Sequence, residues 1–316
     1  MAGRYSRQAE RLICLAAASW SYDVSSARLQ ELCGLEVSDT TIREIAQRHG
    51  AAANVWLRSE PEAAEEFRQT AGDVEFTTDG TSVNTTTGWR EMKVGIFSKR
   101  DRTDAATPQE WASRTLPPPK VRLAFAAIEK SESFGRRWKA WRERLGLADA
   151  PAVTVLADGA KWIWEEQRKH LTYAEGVLDI FHALEHVSAA SQVLHAEPTA
   201  TAEWTDAARE ALLQDGWIGI EAHLRVGEES RTPCQQAAID ELRNYLGPHE
   251  HHLNYHQRLE AGQSIGSGQV EGACKNLIGR RLKQTGARWR CRRVNRMAGL
   301  CSLMYSHQWQ TYWEAA

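Results

Sequence analysis

Two stretches of the chain share a pattern in which a predicted strand runs into an Asp-Gly pair. Apolar and polar residues alternate over VEFTT (residues 74–78) before Asp79-Gly80, and the run VTVL (residues 153–156) precedes Asp158-Gly159. Alternation with a period of two predicts a strand, a short apolar run is consistent with a buried one, and Asp-Gly favours a turn. We therefore expect Asp79 and Asp158 at the tips of two strands.

The first 70 residues have apolar positions at helical spacing and predict a module of short helices. We expect these helices at residues 7–18, 25–33 and 40–48. Ser25 and Ser38 are candidate N-caps, and Gly50 is the expected end of the third helix. The sharp connection before that helix is typical of a helix-turn-helix, which would present Thr41 and Arg43 to a DNA groove. Small helical bundles without a DNA function have the same pattern.

The order of the remaining elements predicts the fold class. Further strands are expected at residues 89–97 and 121–128, with helices at 134–145 and 160–171 on either side of the Asp158 strand. Strand, strand, strand, helix, strand, helix is the order of a ribonuclease H-like α/β fold, a mixed sheet flanked by helices. Its first strand is central and its fourth lies beside it, so Asp79 and Asp158 would be adjacent.

The chain downstream of the predicted sheet is helical in pattern for a long stretch. Apolar residues recur at helical intervals over about residues 190–262, a segment too long for a loop. We interpret it as an all-helical insertion within a ribonuclease H-like domain at residues 71–316, which follows the helical module at residues 1–70. A helix predicted at residues 269–281 then carries Glu271 in its first turn.

Charge is segregated along the chain although the net charge is only -2. No Asp or Glu occurs between Glu271 and Glu314, while basic residues are dense there: Lys275, Arg280, Arg281, Lys283, Arg288, Arg290, Arg292, Arg293 and Arg296. Such a run is either a solvated helix face or a surface for phosphate, and its density favours contact with a DNA backbone. Trp289 within it would either stack on an extruded base or pack in the core.

Composition argues against several classes of protein: disulfide-rich, zinc-ribbon, membrane-spanning and secreted proteins. The six cysteines are scattered with no CxxC pair, which argues against a disulfide framework and a zinc ribbon. No apolar run approaches the roughly 18 residues of a membrane span, and the start of the sequence lacks the apolar stretch of a signal peptide. We therefore expect a cytoplasmic protein with no membrane partner.

Asp79, Asp158 and Glu271 together predict a site for divalent cations. Two ions about 3.5–4 Å apart stabilise the attacking and leaving oxygens of phosphodiester chemistry, and Mg²⁺ or Mn²⁺ takes carboxylate oxygens. Each acid also has an ordinary explanation, because Asp-Gly is a common turn and a glutamate complements the start of a helix. Their joint occurrence favours the metal site.

Four sequence blocks carry a family resemblance. They are DGTSVNTTTGWREMKVGIF, VTVLADGAKWIW, LDIFHALEH and GSGQVEGACKNLIGRRLKQTGARW. In order and wording they resemble the DDE transposases of bacterial insertion sequences, specifically the Kra group related to the Mutator-like lineage, over roughly residues 74–313. The resemblance implies that Asp79, Asp158 and Glu271 are catalytic, and that Asp179 and His182 match the family's accompanying motif, with His182 orienting a phosphate or the nucleophile.

The resemblance also implies an activity and partners. The activity is metal-dependent cleavage at element ends and joining of the 3′-hydroxyl to target DNA, by a homodimer or higher homo-oligomer at the bacterial nucleoid. The basic run from Lys275 to Arg293, with Thr41 and Arg43, would hold the double-stranded DNA. A nuclease of the same fold without strand transfer, and a domesticated, non-catalytic DNA-binding protein, stay open as alternatives.

Overall fold

Four helices precede the first strand of this computed structural model, which describes residues 5–147 and 153–315. They are α1 (Arg7–Ser19), α2 (Tyr22–Cys33), α3 (Asp39–Ser59) and α4 (Glu62–Gln69). Ser38 is confirmed as the N-cap of α3, because its hydroxyl oxygen accepts from the N–H of Thr41 at 3.3 Å. Ser25 is wrong as a cap, since it lies inside α2 and donates to the Ser21 carbonyl at 2.7 Å.

Gly50 does not end α3, which continues for two and a half further turns. The helix meets a later one here, α13 (Cys291–Tyr305), and a Cβ at position 50 would lie 2.2 Å from the carbonyl oxygen of Arg296. Glycine therefore serves a close helix crossing rather than a stop. The predicted division of the chain at residue 70 stays a prediction, and we note that α1 and α3 both pack on α13.

A five-stranded mixed sheet forms the centre of the fold. Its strands are β1 (Asp73–Thr85), β2 (Gly88–Arg100), β3 (Val121–Ala127), β4 (Val153–Ala157) and β5 (Glu175–Leu178). Their spatial order is β3-β2-β1-β4-β5, with β1 antiparallel to β2 and parallel to β4. The expectation that the first strand is central and the fourth lies beside it is confirmed, and the strand order is that of a ribonuclease H-like sheet.

The predicted turn at Asp79-Gly80 is wrong. β1 runs through this pair to Thr85, and both residues are in register with β2, Asp79 opposite Val94 and Gly80 opposite Lys93. The hairpin partner supplies backbone hydrogen bonds beyond the point where local sequence favours a turn. Asp79 therefore lies within a long strand and not at its tip.

The two faces of the sheet are covered by different helices. On one face Phe76 packs against Phe97 and against Trp138 of α5 (Ser131–Arg144), with ring centroids 4.4 and 4.8 Å apart. The opposite face is covered by α13 and the residues after it, where the Ser306 hydroxyl accepts from the N–H of Ala124 at 2.8 Å. Asp79 lies on this second face, with the residues that alternate with Phe76.

The remaining helices are one that connects β4 to β5 and those that follow β5. They are α6 (Lys161–His170), α7 (Ile180–Leu194), α8 (Pro198–Arg225), α9 (Pro233–Leu246), α10 (Tyr255–Glu260), α11 (Gly268–Ala273), α12 (Arg280–Leu282) and α14 (Trp309–Ala315). Short 3₁₀ segments, Glu228–Ser230 and Gly247–His252, flank α9, and a π-helical segment, Cys274–Gly279, joins α11 to α12. The region expected to be helical is thus helical. No helix in residues 5–147 or 153–315 has the length and apolarity needed to cross a membrane.

Candidate active site

Strand register places three aspartates at the same level of the sheet. Thr77 of β1 is opposite Leu156 of β4, so continuing this register by two residues places Asp158 beside Asp79. Ala157 is in turn opposite Leu178 of β5, which makes Asp158 and Asp179 the next pair. Neighbouring strands are about 4.8 Å apart. We call Asp79, Asp158 and Asp179 the acidic strand ends, because β4 and β5 end at this level although β1 runs past it.

The surroundings of Asp79 disfavour the charged form of its carboxyl group. Burial raises its pKa most; the N–H of Gly80, which donates to Oδ1 at 2.5 Å, opposes this, and the negative charge of Asp158 raises the pKa again. The net direction is upward. A bound cation would relieve both the desolvation and the repulsion, so this position favours a metal ion or a proton.

Asp158 is fixed by the turn that follows β4 and by the helical region after α7. Its Oδ1 accepts from the N–H of Ala160, and its carbonyl accepts from the Trp164 indole, both at 3.0 Å. Gly159 lies directly beneath Tyr245 of α9, where a Cβ would be 2.5 Å from the tyrosine ring. Sequence reasoning missed Tyr245, because no local pattern links α9 to this turn.

Asp179 is a buried carboxylate that joins two segments. It caps α7 by accepting from the N–H of Phe181 at 2.7 Å, and it accepts from both the N–H (2.8 Å) and the hydroxyl of Ser267. Burial would raise its pKa, but the contacts with His182 and Ser267 outweigh that effect and hold the pKa below its usual value. Asp179 is thus ionised and hydrogen-bonded, so its role here is to organise the chain around it.

His182 is a cation at neutral pH. Its Nδ1 lies 3.6 Å from Oδ2 of Asp179, an ion-pair distance rather than a hydrogen bond, and this carboxylate raises the pKa of His182 to about 9. A protonated imidazole neither binds a metal nor accepts a proton. His186, one helical turn further along α7, stacks on Tyr245 with ring centroids 3.6 Å apart.

Glu271 is engaged by a neighbouring lysine. It is exposed in α11, and its Oε1 lies 2.7 Å from Nζ of Lys275. Cys274, three residues later, places its Sγ 3.9 Å from Oδ2 of Asp79. Burial, and then the charge of Asp79, raises the pKa of this thiol to about 12, so it is a neutral neighbour of the site.

The fit to a divalent cation is therefore partial. Asp79 and Asp158 supply the hard oxygen ligands that Mg²⁺ and Mn²⁺ prefer. Within the ranges that the structure describes, however, no three His, Cys, Asp or Glu side chains are grouped closely enough to hold a metal ion. Glu271 would have to leave Lys275 to complete a three-carboxylate set.

A buried carboxylate that sequence reasoning missed anchors the start of α11. Glu75 accepts from Arg100 at 2.8 Å, from Gln269 at 3.1 Å and from the hydroxyl of Ser264. Together with the Ser267–Asp179 contacts, these bonds tie the backbone before Glu271 to β1 and to the residue after β5. The alternating strand pattern placed Glu75 on a polar face, but nothing in the sequence showed that this face is covered.

Two of the predicted DNA contacts, Arg281 and Trp289, have buried side chains in this structure. Arg281 is 3% exposed, donates through Nε to the Ala17 carbonyl at 2.6 Å, and lies 5.0 Å from the ring centroids of both Tyr22 and Trp289. Trp289 is 8% exposed and donates to the Leu282 carbonyl at 3.0 Å. These two residues attach the C-terminal segment to the N-terminal helices.

The other predicted basic contacts lie at the surface. The exposed side chains are Lys275, Arg280, Lys283, Arg288, Arg290, Arg292 and Arg293. Lys283 reaches the hydroxyl of Thr81, two residues beyond Asp79. Thr41 is engaged with Ser38 at 2.9 Å between their hydroxyl oxygens, whereas Arg43 lines a cleft together with arginines of the C-terminal segment.

Comparison with known proteins adds little to this picture. No family model matches the chain, and no curated protein sequence matches it. Among solved structures, the chain is similar to the Drosophila P element transposase strand transfer complex, with a TM-score of 0.34 and 9% sequence identity over 98% of this chain and 81% of that chain. A likeness at that level carries no argument about this protein, whose candidate activity rests on its own sheet and carboxylates.

Proposed function

We propose that this protein is a DDE-type DNA transposase that cleaves DNA at element ends and joins the freed 3′-hydroxyl to target DNA. Asp79, Asp158 and Glu271 would hold two Mg²⁺ or Mn²⁺ ions. The observation that carries the proposal is the alignment of Asp79 and Asp158 on adjacent parallel strands, with the pKa of Asp79 raised by burial and by its neighbour. Ions held there would activate the attacking oxygen and stabilise the leaving one.

Glu271 completes the site in this proposal when DNA arrives. Its partner Lys275 is an exposed ammonium group one helical turn away, and 64% of the Glu271 side chain is exposed. Such a surface pair contributes only about 0–1 kcal/mol, so a DNA phosphate can draw Lys275 away at small cost. The released carboxylate would then turn toward Asp79, which Cys274, three residues after Glu271, contacts at 3.9 Å.

His182 would bind phosphate rather than transfer a proton. Its pKa of about 9 keeps it protonated at neutral pH, and Asp179 fixes it beside Asp158. An imidazolium there offers its second N–H to a non-bridging phosphate oxygen and neutralises charge that develops on phosphorus oxygens. Buried hydrogen bonds from Ser267 hold Asp179 and so keep this cation in place.

In this proposal the substrate is double-stranded DNA, and two ends are held by a homodimer or higher homo-oligomer at the bacterial nucleoid. The test is a strand-transfer assay with labelled element-end DNA and Mg²⁺ or Mn²⁺, comparing the native protein with Asp158→Ala. The matched control is Asp206→Ala, an aspartate of α8 that is 63% exposed in its side chain and paired only with Arg209. We expect joined products from the native protein and the control, and none from Asp158→Ala.

Two other outcomes would overturn the proposal in favour of a different function. Metal-dependent cleavage without any joined product indicates a nuclease of the same fold. DNA binding that needs no metal and leads to no cleavage indicates a non-catalytic DNA-binding protein.

A further inference from the structure

A basic groove lies between α3 and the start of α13, away from the carboxylates. Its main cleft has a volume of about 680 Å³ and is lined by Arg43, Arg48, Arg290, Arg292, Arg293 and Arg296, which we call the arginine groove. Glu44 is the acid in this lining. A second cavity of about 540 Å³ shares Arg43, Arg290 and Arg293 with it and extends toward Arg288. Tyr22, Trp289 and the acids Asp23 and Asp39 also line this second cavity.

The charges of the arginine groove are largely unneutralised. Arg48 pairs with Glu10. Across residues 5–147 and 153–315, no ion pair within 4.0 Å involves the other five arginines. Unpaired guanidinium groups crowded into one depression repel each other and attract polyanions. Their forked donors suit phosphate oxygens.

Backbone contacts fix the width of this groove. The Gln47 side chain donates to the carbonyl of Arg293, and the Asn54 side chain donates to the carbonyl of Asn295, both at 3.0 Å. Gly50 allows α3 to approach α13 at their crossing. Arginines from two segments far apart in sequence are therefore presented on one rigid base.

The groove begins near the far end of the strand that carries Asp79. Thr85 lies six residues beyond Asp79 in β1, a distance of about 20 Å at the usual rise of a strand. At that end the N–H of Thr86 donates to the Trp289 carbonyl at 2.8 Å, and the N–H of Trp289 donates to the Asn84 carbonyl at 3.1 Å. The hairpin tip is thus pinned to the residue before Arg290, where the groove begins.

We propose that the arginine groove binds the sugar–phosphate backbone of duplex DNA about 6 to 9 base pairs from the phosphate at Asp79. The near limit is the 20 Å of strand divided by about 3.4 Å per base pair. The far limit adds the roughly 9 Å of helix between Arg290 and Arg296. Among the described residues no aromatic ring lines the main cleft, and Tyr22 and Trp289 border only the second cavity, so contacts in the main cleft would be to phosphates and independent of sequence.

This inference deepens the proposed function, from which it takes DNA as the ligand, but its test measures binding. Fluorescence anisotropy of a labelled duplex would be followed against salt for the native protein, Arg290→Ala/Arg293→Ala and Arg290→Lys/Arg293→Lys. Each phosphate contact contributes about 0.9 to the slope of log K against log salt. We expect the alanine pair to lower the slope by about 2 and to weaken binding roughly 50-fold at 0.1 M salt, and the lysine pair to retain most of both.

Controls and a footprint complete the experiment. Arg225→Ala removes an arginine of α8 that is 70% exposed in its side chain, and it should leave the slope unchanged. Hydroxyl-radical footprinting in EDTA should show protection about 6 to 9 base pairs from the cleavage position, lost in the alanine pair. Thermal melting shows whether each variant is folded.

An unchanged slope in a folded alanine pair would overturn the inference. Equal weakening of heparin, duplex RNA and DNA binding without a change in the footprint would also overturn it, because the groove would then be a general anion site. The proposed function can fail separately: a protein that binds through the groove but never joins DNA keeps this inference and loses the other.

Discussion

The acidic strand ends and the arginine groove are both directed at phosphate, yet they are built in opposite ways. The aspartates are positioned by strand register and by buried hydrogen bonds from Gly80, Ala160 and Ser267. The groove arginines are exposed or half-buried and mostly unpaired, and only the backbone beneath them is fixed. The first region supplies geometry and the second supplies charge. Conservative substitutions should therefore be damaging at the strand ends and mild in the groove.

The largest difference between the two regions should appear when an aspartate of the acidic strand ends is replaced by asparagine. Asp79→Asn and Asp158→Asn keep the shape but lose the charge that holds a cation. We expect strand transfer to fall on the order of 10³-fold, the equivalent of about 4 kcal/mol of transition-state stabilisation. Duplex affinity measured in EDTA should stay within a few-fold of the native value, because the groove is untouched.

Stability gives an independent check on Asp79. Its raised pKa means that the folded protein holds the proton more tightly than the unfolded chain does, so its charged form destabilises the fold above that pKa. Asp79→Asn should raise the urea midpoint at neutral pH in EDTA. A lower midpoint would show that the carboxylate is a structural hydrogen-bonding group.

The next effect concerns the network beneath the strand ends. Glu75→Ala leaves the buried guanidinium of Arg100 without its carboxylate, which should cost about 3–5 kcal/mol of unfolding free energy in urea titrations. Asp73→Ala, on the same strand as Glu75, breaks a partly exposed pair with Arg102 and a hydrogen bond from Gln263, and it should cost about 1 kcal/mol. Equal losses in the two variants would contradict the importance of burial here.

A substitution at the helix crossing tests the base of the groove. Gly50→Ala places a methyl group against the Arg296 carbonyl and should push α3 away from α13, at about 1–3 kcal/mol of stability. Duplex affinity should fall several-fold, because Arg43 moves away from Arg290. Gly272→Ala is the control: among the described residues outside its own helical turn and its chain neighbours, its Cβ would meet no atom within 4 Å, so the helix should gain about 0.4–1 kcal/mol. Unchanged affinity in a folded Gly50→Ala protein would show that the groove tolerates a change in width.

Much of the fold could be predicted from periodicity and from the order of the elements. The strand order, the long helical region and the cap at Ser38 were predicted, because each depends on local pattern or on a connection rule. Gly50 and Asp79-Gly80 were misjudged because a partner element overrides local preference at both places: α13 crosses the glycine, and β2 carries the strand onward. Sequence spacing cannot show what packs against a position.

The site was predictable to a smaller extent. Asp79 and Asp158 could be paired because parallel register follows from strand order, but Glu75 and Tyr245 act through partners far away in the chain. Arg281 illustrates the limit best. A π-helical turn, Cys274–Gly279, shifts the helical period just before Arg281, so the direction of the Arg281 side chain cannot be extrapolated from Glu271. The rings of Tyr22 and Trp289, from two other segments of the chain, also lie against its guanidinium group.

The smallest expected effect is a pH dependence of stability that distinguishes His182, the cation beside the acidic strand ends, from the arginines of the groove. Asp179 raises the pKa of His182 to about 9 from an ordinary value of 6.5, so their attraction stabilises the fold fully below pH 6.5 and is lost as the pH rises through 9. Because 41% of the His182 side chain is exposed, we expect less than about 1 kcal/mol. Urea midpoints in EDTA should decline across this window in the native protein and stay flatter in His182→Gln. A decline of equal size in the native protein and in His182→Gln would show that another group titrates. His182 would then resemble the groove arginines, which have no carboxylate partner before phosphate binds, and the ion pair with Asp179 would not stabilise the fold.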